Sequence, residues 1–122
     1  MEAVNNVIVI SDTHGGCQLA LCPRTIRLDS GGIYHAGPTQ LKILDRWEYF
    51  CNEWIPRVTR EEPFALVHNG DALDGAHHGS KTQVTQNFAD QENIAYEILA
   101  PLVERAGGRY YHIRGTEAHV GQ

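Results

Sequence analysis

The sequence predicts an α/β domain in which three mainly parallel strands are connected by crossover helices. Three apolar, β-rich runs at 7–10, 64–68 and 110–113 are separated by two segments with helical periodicity. Each run is followed directly by a short acidic motif. Because a helix between two strands returns the chain to the same edge of the sheet with a right-handed connection, this order predicts a parallel sheet.

The first strand is predicted over 6–10, followed by a β-hairpin. Apolar residues at 7–10 do not alternate with polar ones, a pattern typical of a strand that is covered on both faces. The segment 18–38 has no helical period, and Gly31 and Gly32 separate two short β-rich stretches within it. We therefore expect a hairpin insertion over 18–38.

The first helix is predicted to begin at Pro38 and Thr39, with Thr39 as its N-cap, and to end at Pro56. Apolar residues between these points recur every three or four positions, which predicts a single buried stripe. The stripe consists of Ile43, Leu44, Trp47, Phe50, Cys51 and Trp54.

The second half of the chain continues the alternation of strand and helix. After the strand at 64–68 comes a polar loop over 77–86, and a second helix begins near Asn87. Pro101 is expected to kink or split this helix, and Gly107 and Gly108 to end it. A third strand is predicted over 109–113. The 122 residues are expected to form one domain, 1–122.

Composition and charge restrict the class of protein. The chain is 42% hydrophobic and 20% charged, as is usual for a soluble globular protein. No apolar run approaches the ~18 residues of a membrane span, and no basic segment precedes an apolar one at the N-terminus. The odd set of Cys17, Cys22 and Cys51 favours a reducing, cytoplasmic location with the thiols as small buried hydrophobes. We expect no membrane partner.

The net charge of −5 and the absence of a Lys/Arg cluster argue against broad electrostatic binding of nucleic acid. Divalent cations bound in an acidic cleft would, however, reverse the local charge of the cleft. A nucleotide or nucleic acid therefore stays open as a substrate.

Carboxylates and imidazoles follow each predicted strand. The carboxyl ends of parallel strands meet at one edge of the sheet, and these side chains are typical ligands of divalent cations. Each motif alone has a plain alternative as a helix cap, an Asn-Gly-Asp turn or a solvated loop, but their joint occurrence predicts a metal site. Asp74 is expected to orient its turn without touching metal, and His68 to be a hydrogen-bonded structural residue. The candidate residues are Asp12, His14, Asp71, Asp74, Glu117 and His119.

These motifs resemble the first three blocks of the calcineurin-like metallophosphoesterases, D-x-H, G-D-x-x-D and G-N-H-[DE]. The third block differs, since Thr116 stands where the family has Asn and Glu117 where it has His, as in a phage-type G-T-E-x-H variant. The resemblance implies the N-terminal half of a four-layer α/β/β/α sandwich. The matching segments are Asp12-Thr13-His14, Gly70-Asp71 with Asp74, and Gly115-Thr116-Glu117-Ala118-His119.

The resemblance implies two divalent metal ions, Mn²⁺ or alternatively Fe, Zn, Ni or Mg. Asp12 and His14 would ligate the first ion, Asp71 would bridge both, and Glu117 would ligate the second. His119 would be the catalytic residue, which either protonates the leaving group or holds the scissile phosphate in place. Substrate-binding or supporting positions would be Thr116, Asp74, His77 and His78, although the residues alone slightly favour a plain polar loop for the two neighbouring histidines.

The implied reaction is hydrolysis of a phosphomonoester or phosphodiester by a hydroxide that bridges the two metals. The family's later G-H-x-H block does not follow Gln122. Three alternatives are open: a piece of a longer product, a truncated copy, or a chain whose site a second copy or another chain completes. An inactive metal- or phosphate-binding remnant is therefore the alternative function, and a plain α/β interaction module is the third.

Overall fold

The computed structural model of the protein describes residues 3–75, 83–85 and 87–114. Within them the strands and helices follow the predicted order. In sequence they are β1 (Asn6–Ile10), β2 (Thr25–Arg27), β3 (Ile33–His35), α1 (Pro38–Tyr49), a π-helical segment (Phe50–Trp54), α2 (Ile55–Thr59), β4 (Phe64–His68), α3 (Phe88–Arg105) and β5 (Tyr110–His112).

The main sheet is parallel and three-stranded, with the order β1-β4-β5. Ile8 pairs with Leu66, and Leu66 pairs in turn with Tyr110 on the other side. The predicted mixed α/β architecture with three parallel strands is therefore confirmed. Since β4 is the central strand, its C-terminal end lies between the ends of the other two.

The hairpin predicted within 18–38 is present as the antiparallel pair β2 and β3. Ile26 of β2 is buried with Cys22 and with Ile94 of α3. The backbone N–H of Asp29 donates to Oδ1 of Asp90 on α3 at 2.7 Å. These contacts fasten the hairpin to the helical layer.

The first helix begins and ends differently from the prediction. Gly37, not Thr39, occupies the N-cap, and no side chain caps this end, because Pro38 already has the backbone geometry of a first helical residue. Pro56 does not end the helix. It lies in the first turn of α2, just after the π-helical segment, where a missing N–H costs little. The helical path stops only at Arg60, which adopts a left-handed backbone with φ 57°.

The second crossover helix, α3, begins as predicted at Asn87, whose side chain accepts a hydrogen bond from Asp90 N at 3.2 Å. Pro101 does not split the helix, which continues through it to Arg105. Gly107 and Gly108 follow with φ of 66° and 77° and end the helix as expected. Among the described residues, no helix combines the length and the apolar character that crossing a bilayer requires.

Among the described residues, helices cover one face of the sheet and the other face of β1 is exposed, so the prediction that β1 is covered on both faces is not met there. Ile8 and Leu66 pack into a core that also contains side chains of all three helices. On the opposite face, Val7, Val9 and Tyr111 are 58%, 60% and 57% exposed. The reason is topological: right-handed crossovers that move in one direction, from β1 to β4 to β5, place both connecting helices on the same side.

The cysteines behave largely as small apolar side chains. Cys22 and Cys51 are buried and Cys17 is partly buried, and all three are free thiols. Burial raises the pKa of the Cys22 and Cys51 thiols to about 11. Both are therefore neutral at physiological pH, in agreement with the sequence prediction.

Candidate metal centre

Two loops that follow β1 and β4 lie side by side and carry the candidate ligands. The backbone N–H groups of Asp12 and His14 donate to the carbonyl oxygens of Gly70 and Asp71, each at 3.0 Å. Gly15 N donates to Ala72 O at 2.7 Å, which extends the contact by one more residue. The parallel pairing of the strands thus continues into the loops and sets the spacing between their side chains.

Asp12, His14 and Asp71 converge on one point. One potential ligand atom from each residue lies within 4.8 Å of the other two. Ligand oxygens and nitrogens around one cation, each about 2.0–2.6 Å from it, are separated by such distances. The donor set of two carboxylates and one imidazole is therefore able to hold a divalent cation.

All three residues of this cluster adopt a left-handed backbone. Their φ angles are 57° for Asp12, 46° for His14 and 58° for Asp71. Asp and His tolerate this region better than most residues, yet each such non-glycine conformation still costs about 1–3 kcal/mol. Strained conformations of this kind concentrate where a functional geometry must be held. Of the five non-glycine residues with this backbone among the described residues, three are the residues that converge, and the other two, Arg60 and Glu61, follow α2.

Asp74 lies behind His14, where it can orient the imidazole. Its Oδ1 is 3.6 Å from His14 Nδ1, while His14 Nε2 is 3.3 Å from Asp12 Oδ1. The two ring nitrogens of His14 therefore face different carboxylates, with Nε2 turned toward the cluster. Asp74 is itself held by Gln83, whose Nε2 donates to Oδ2 at 2.7 Å. A carboxylate behind a ligating histidine fixes its ring and raises its basicity.

The neighbours of Asp12 lower the pKa of its carboxyl. The Ser11 hydroxyl donates a hydrogen bond to it and lowers its pKa below the usual value, and His14 and Asp71 act in the same direction. A deprotonated carboxylate is the form that ligates metal. The local hydrogen bonds thus favour the charge state that a cation requires.

His68, the last residue of β4, is fully buried between the two loops. Its Nδ1 accepts a hydrogen bond from Gly70 N at 3.2 Å, and its Nε2 is 2.8 Å from Thr13 Oγ1. Burial is the main reason that the pKa of His68 is lowered to about 4, with nearby His112 adding to the effect. The imidazole is therefore neutral at physiological pH, and the prediction of a hydrogen-bonded structural histidine is confirmed.

Gln91 of α3 fastens the far side of the loop after β4. Its side-chain oxygen accepts from Gly75 N at 2.9 Å, and its amide donates to the carbonyl oxygens of Gly75 and Thr85. Gln91 is fully buried. Sequence analysis assigned it no role, although a glutamine at a buried position of an amphipathic helix is a signal that such a residue bonds to backbone.

The structure brings together part of the predicted site. Asp12, His14 and Asp71 form the cluster, and Asp74 contacts it from behind without joining it. The remaining predicted residues, Thr116, Glu117, His119, His77 and His78, lie outside the described residues. Residues whose role sequence analysis missed are Thr13, Gln83 and Gln91, and none of them carries a motif of its own.

An open cleft of about 690 Å³ runs from the cluster along β1 toward the first helix. Asp12, His14 and Asp74 line one end of it. Its other walls include Trp47 and Phe50, whose rings stack at 5.6 Å between centroids. This volume lies within the range of small-molecule sites.

Comparison of the chain with protein-family models, with curated protein sequences and with solved structures gave no match.

Proposed function

We propose that this chain is a metal-dependent phosphoesterase domain of the calcineurin-like type, acting on a phosphomonoester or a phosphodiester. One observation carries the proposal: Asp12, His14 and Asp71 converge within 4.8 Å from two different strand ends. The left-handed backbone of all three supports it, since the fold holds a costly conformation at these positions.

The donor set favours a borderline to hard dication. Carboxylates suit Mn²⁺ and Mg²⁺, and imidazole suits Zn²⁺, Fe and Ni²⁺, so the mixed set favours Mn²⁺ first. When bound, such an ion lowers the pKa of water and neutralises charge on phosphate oxygens. Asp12 and Asp71 would balance the charge of the ion, and Asp74 would keep the Nδ1 proton of His14 in place so that Nε2 faces the ion.

The residues of the third motif complete the proposal by resemblance. Glu117 would contribute a ligand for a second ion, and His119 would donate the proton to the leaving group. Thr116, His77 and His78 would contact phosphate or support those that do. The ester substituent, including a nucleoside or a nucleic acid strand, would extend into the cleft beside Asp12 and His14.

The finer fold is also a proposal. We propose that the described sheet is half of an α/β/β/α sandwich, because its uncovered face is apolar. Val7, Val9 and Tyr111 present more than half of their surface on this face. Two sheets that pack face to face bury side chains of this kind between them.

Metal binding is the direct test. Titration of the chain with Mn²⁺ is expected to show saturable binding when it is monitored by calorimetry and by electron paramagnetic resonance. Asp71→Asn is expected to weaken binding by about 100-fold, at least as much as loss of a supporting residue does. Asp45→Asn, an exposed change on α1, is the matched control and should leave affinity unchanged. Equal Mn²⁺ affinity in Asp71→Asn and in the unaltered chain would refute the site.

Hydrolysis is tested separately with bis(p-nitrophenyl) phosphate and p-nitrophenyl phosphate in the presence of Mn²⁺. Turnover that Asp71→Asn abolishes and Asp45→Asn preserves is the expected result. Activity that survives in Asp71→Asn would show that a contaminating enzyme or another site is responsible.

A second candidate is a cation-binding protein without turnover. The observation that favours it is that Asp12, His14 and Asp71 by themselves form a donor set for one cation. Binding of one Mn²⁺ per chain, with no hydrolysis of either ester, would favour this candidate over the esterase. Binding of two ions with turnover would exclude it.

A further inference from the structure

We propose that His68 is a positioning residue that holds the ligand-bearing loops at the separation that cation binding requires. The identity of the ligand rests on the proposed function. The separation of the two loops does not, because the contacts of His68 join the loops with or without a cation.

The imidazole joins the two loops through both ring nitrogens. Gly70 N–H donates to Nδ1 at 3.2 Å, so this nitrogen carries no proton and the proton lies on Nε2. Nε2 then donates to Thr13 Oγ1 at 2.8 Å, and the Thr13 hydroxyl can donate onward to Ala72 O at 3.4 Å. Thr13 lies between Asp12 and His14, and Gly70 precedes Asp71. One ring thus contacts the immediate neighbours of all three cluster residues.

His68 also contacts the exit of the third strand. Its backbone carbonyl accepts from Ile113 N at 2.8 Å. Its ring centroid lies 5.2 Å from that of His112 on β5. The segment that leads from β5 toward the third motif is therefore fastened to the same residue as the first two loops.

Because His68 is buried, losing either of its hydrogen bonds would be costly. His68 is 0% exposed, so a ring nitrogen that lost its partner would find no water to replace it. Leucine or phenylalanine would fill the same space but would bond neither loop. A functional cluster must be held to about 0.5 Å by residues with fixed rotamers of their own. The central position of β4 makes its last residue the one that reaches both neighbouring strand ends.

Three substitutions separate the two hydrogen bonds. In His68→Asn the amide is placed near Nδ1 and can still accept from Gly70. In His68→Gln the amide reaches toward Nε2 and can still donate to Thr13. In His68→Phe both bonds are lost while a planar aromatic ring is kept. We expect Mn²⁺ affinity to fall about 10- to 100-fold in His68→Phe, as for supporting residues of metal sites, and less in the two amides. The electron paramagnetic resonance spectrum of the Mn²⁺ that His68→Phe still binds is expected to be broader than that of the unaltered chain.

Thr59→Val is the matched control for a general loss of stability. Thr59 is buried in α2, and its hydroxyl donates to Ile55 O at 2.7 Å. This helix lies before β4 in the chain, at the opposite end of the strand from the cluster. This variant loses one buried hydrogen bond, as the amide variants do. It is expected to leave Mn²⁺ affinity and the Mn²⁺ spectrum unchanged.

Hydrogen exchange of backbone amides gives a readout that needs no cation. The amides of Asp12, His14 and Gly15 bond across the two loops. We expect their exchange to be at least tenfold faster in His68→Phe than in Thr59→Val. This acceleration together with absence of Mn²⁺ binding in the unaltered chain would overturn the proposed function and support the positioning role. Unchanged exchange in a folded His68→Phe would overturn the positioning role, and so would unchanged Mn²⁺ affinity and spectrum if the unaltered chain binds Mn²⁺.

Discussion

The hydroxyl of Thr13 lies 2.8 Å from Nε2 of His68, and this buried contact joins the loop after β1 to the last residue of β4. The two residues are 55 positions apart in the chain. Because Gly70 N–H donates to Nδ1, which can accept only when it carries no proton, the two bonds together require a neutral imidazole with its proton on Nε2. The charge state of His68 is thereby linked to the integrity of the site.

This linkage predicts that stability falls as the pH is lowered below neutrality. The pKa of His68 is about 4 in the folded protein, mainly because of burial, and about 6.5 in an unfolded chain. Above pH 6.5 neither the folded nor the unfolded state binds the proton, so His68 does not change the free energy of unfolding. Between pH 6.5 and 4 only the unfolded state binds it, so the free energy of unfolding falls by up to about 3 kcal/mol. Urea unfolding from pH 7.5 to 4.5 in the presence of a chelator measures this.

His68→Gln provides the control for this titration. The charged and titratable groups that act on His68 are His112, Asp12, Asp71 and His14. They remain in the variant, so the difference between the two proteins isolates the imidazole. The decrease in the free energy of unfolding that His68 causes between pH 6.5 and 4 is expected to be absent from the glutamine variant. Parallel pH profiles for the two proteins would contradict the prediction.

Asp71 is expected to have a strained backbone and to be required for cation binding. At its φ of 58°, glycine is unstrained whereas alanine is not. Asp71→Gly and Asp71→Ala both remove the carboxylate, and we expect the glycine variant to be more stable by about 1 kcal/mol. Neither should bind Mn²⁺. Chemical unfolding and Mn²⁺ titration measure the two quantities.

The control for Asp71 is Asp45, which is exposed in the middle of α1. In a helix the order reverses, and Asp45→Ala should be more stable than Asp45→Gly by about 1 kcal/mol. The same order at both positions would show that Asp71 does not have a left-handed backbone in solution.

Two neighbouring residues of β1 test which face of the sheet is covered. Ile8 is 5% exposed and Val9 is 60% exposed. Ile8→Ala is expected to lower the free energy of unfolding by about 2–5 kcal/mol, and Val9→Ala by no more than about 0.5 kcal/mol. Thermal and urea unfolding provide the values. A loss above 2 kcal/mol in Val9→Ala would mean that a further layer covers this face in solution.

Gly16 is expected to tolerate no side chain. It has a φ of 106°, and a Cβ there would lie 2.6 Å from Cγ of Gln91, the residue that fastens the loop after β4. Gly31 has a similar φ of 93° but open space around it. Both alanine variants share the backbone penalty, so the difference between them reports the clash. Gly16→Ala should be less stable than Gly31→Ala by about 1–3 kcal/mol in urea unfolding. Equal losses would show that Gln91 moves away without cost.

The sequence alone was sufficient for the strands, the crossover helices and the parallel sheet, because these depend on local hydrophobic periodicity and on glycines at turns. Helix boundaries were predicted less well. Thr39 and Pro56 carry the usual signals for a cap and a stop, but the residues around them supply alternatives, Gly37 before the helix and the π-helical segment before Pro56. Local signals of this kind are weak compared with packing.

The grouping of Asp12, His14 and Asp71 was also predicted from the sequence, since each follows an apolar strand and parallel strands end at one edge. Only the tertiary structure decided the rest. The roles of His68 and Gln91 depend on hydrogen bonds to residues far away in the chain or in another element. The bare face of the sheet depends on the strand order β1-β4-β5. Neither long-range pairing nor strand order leaves a periodic trace in the sequence, because both arise from which surfaces meet after the elements have formed.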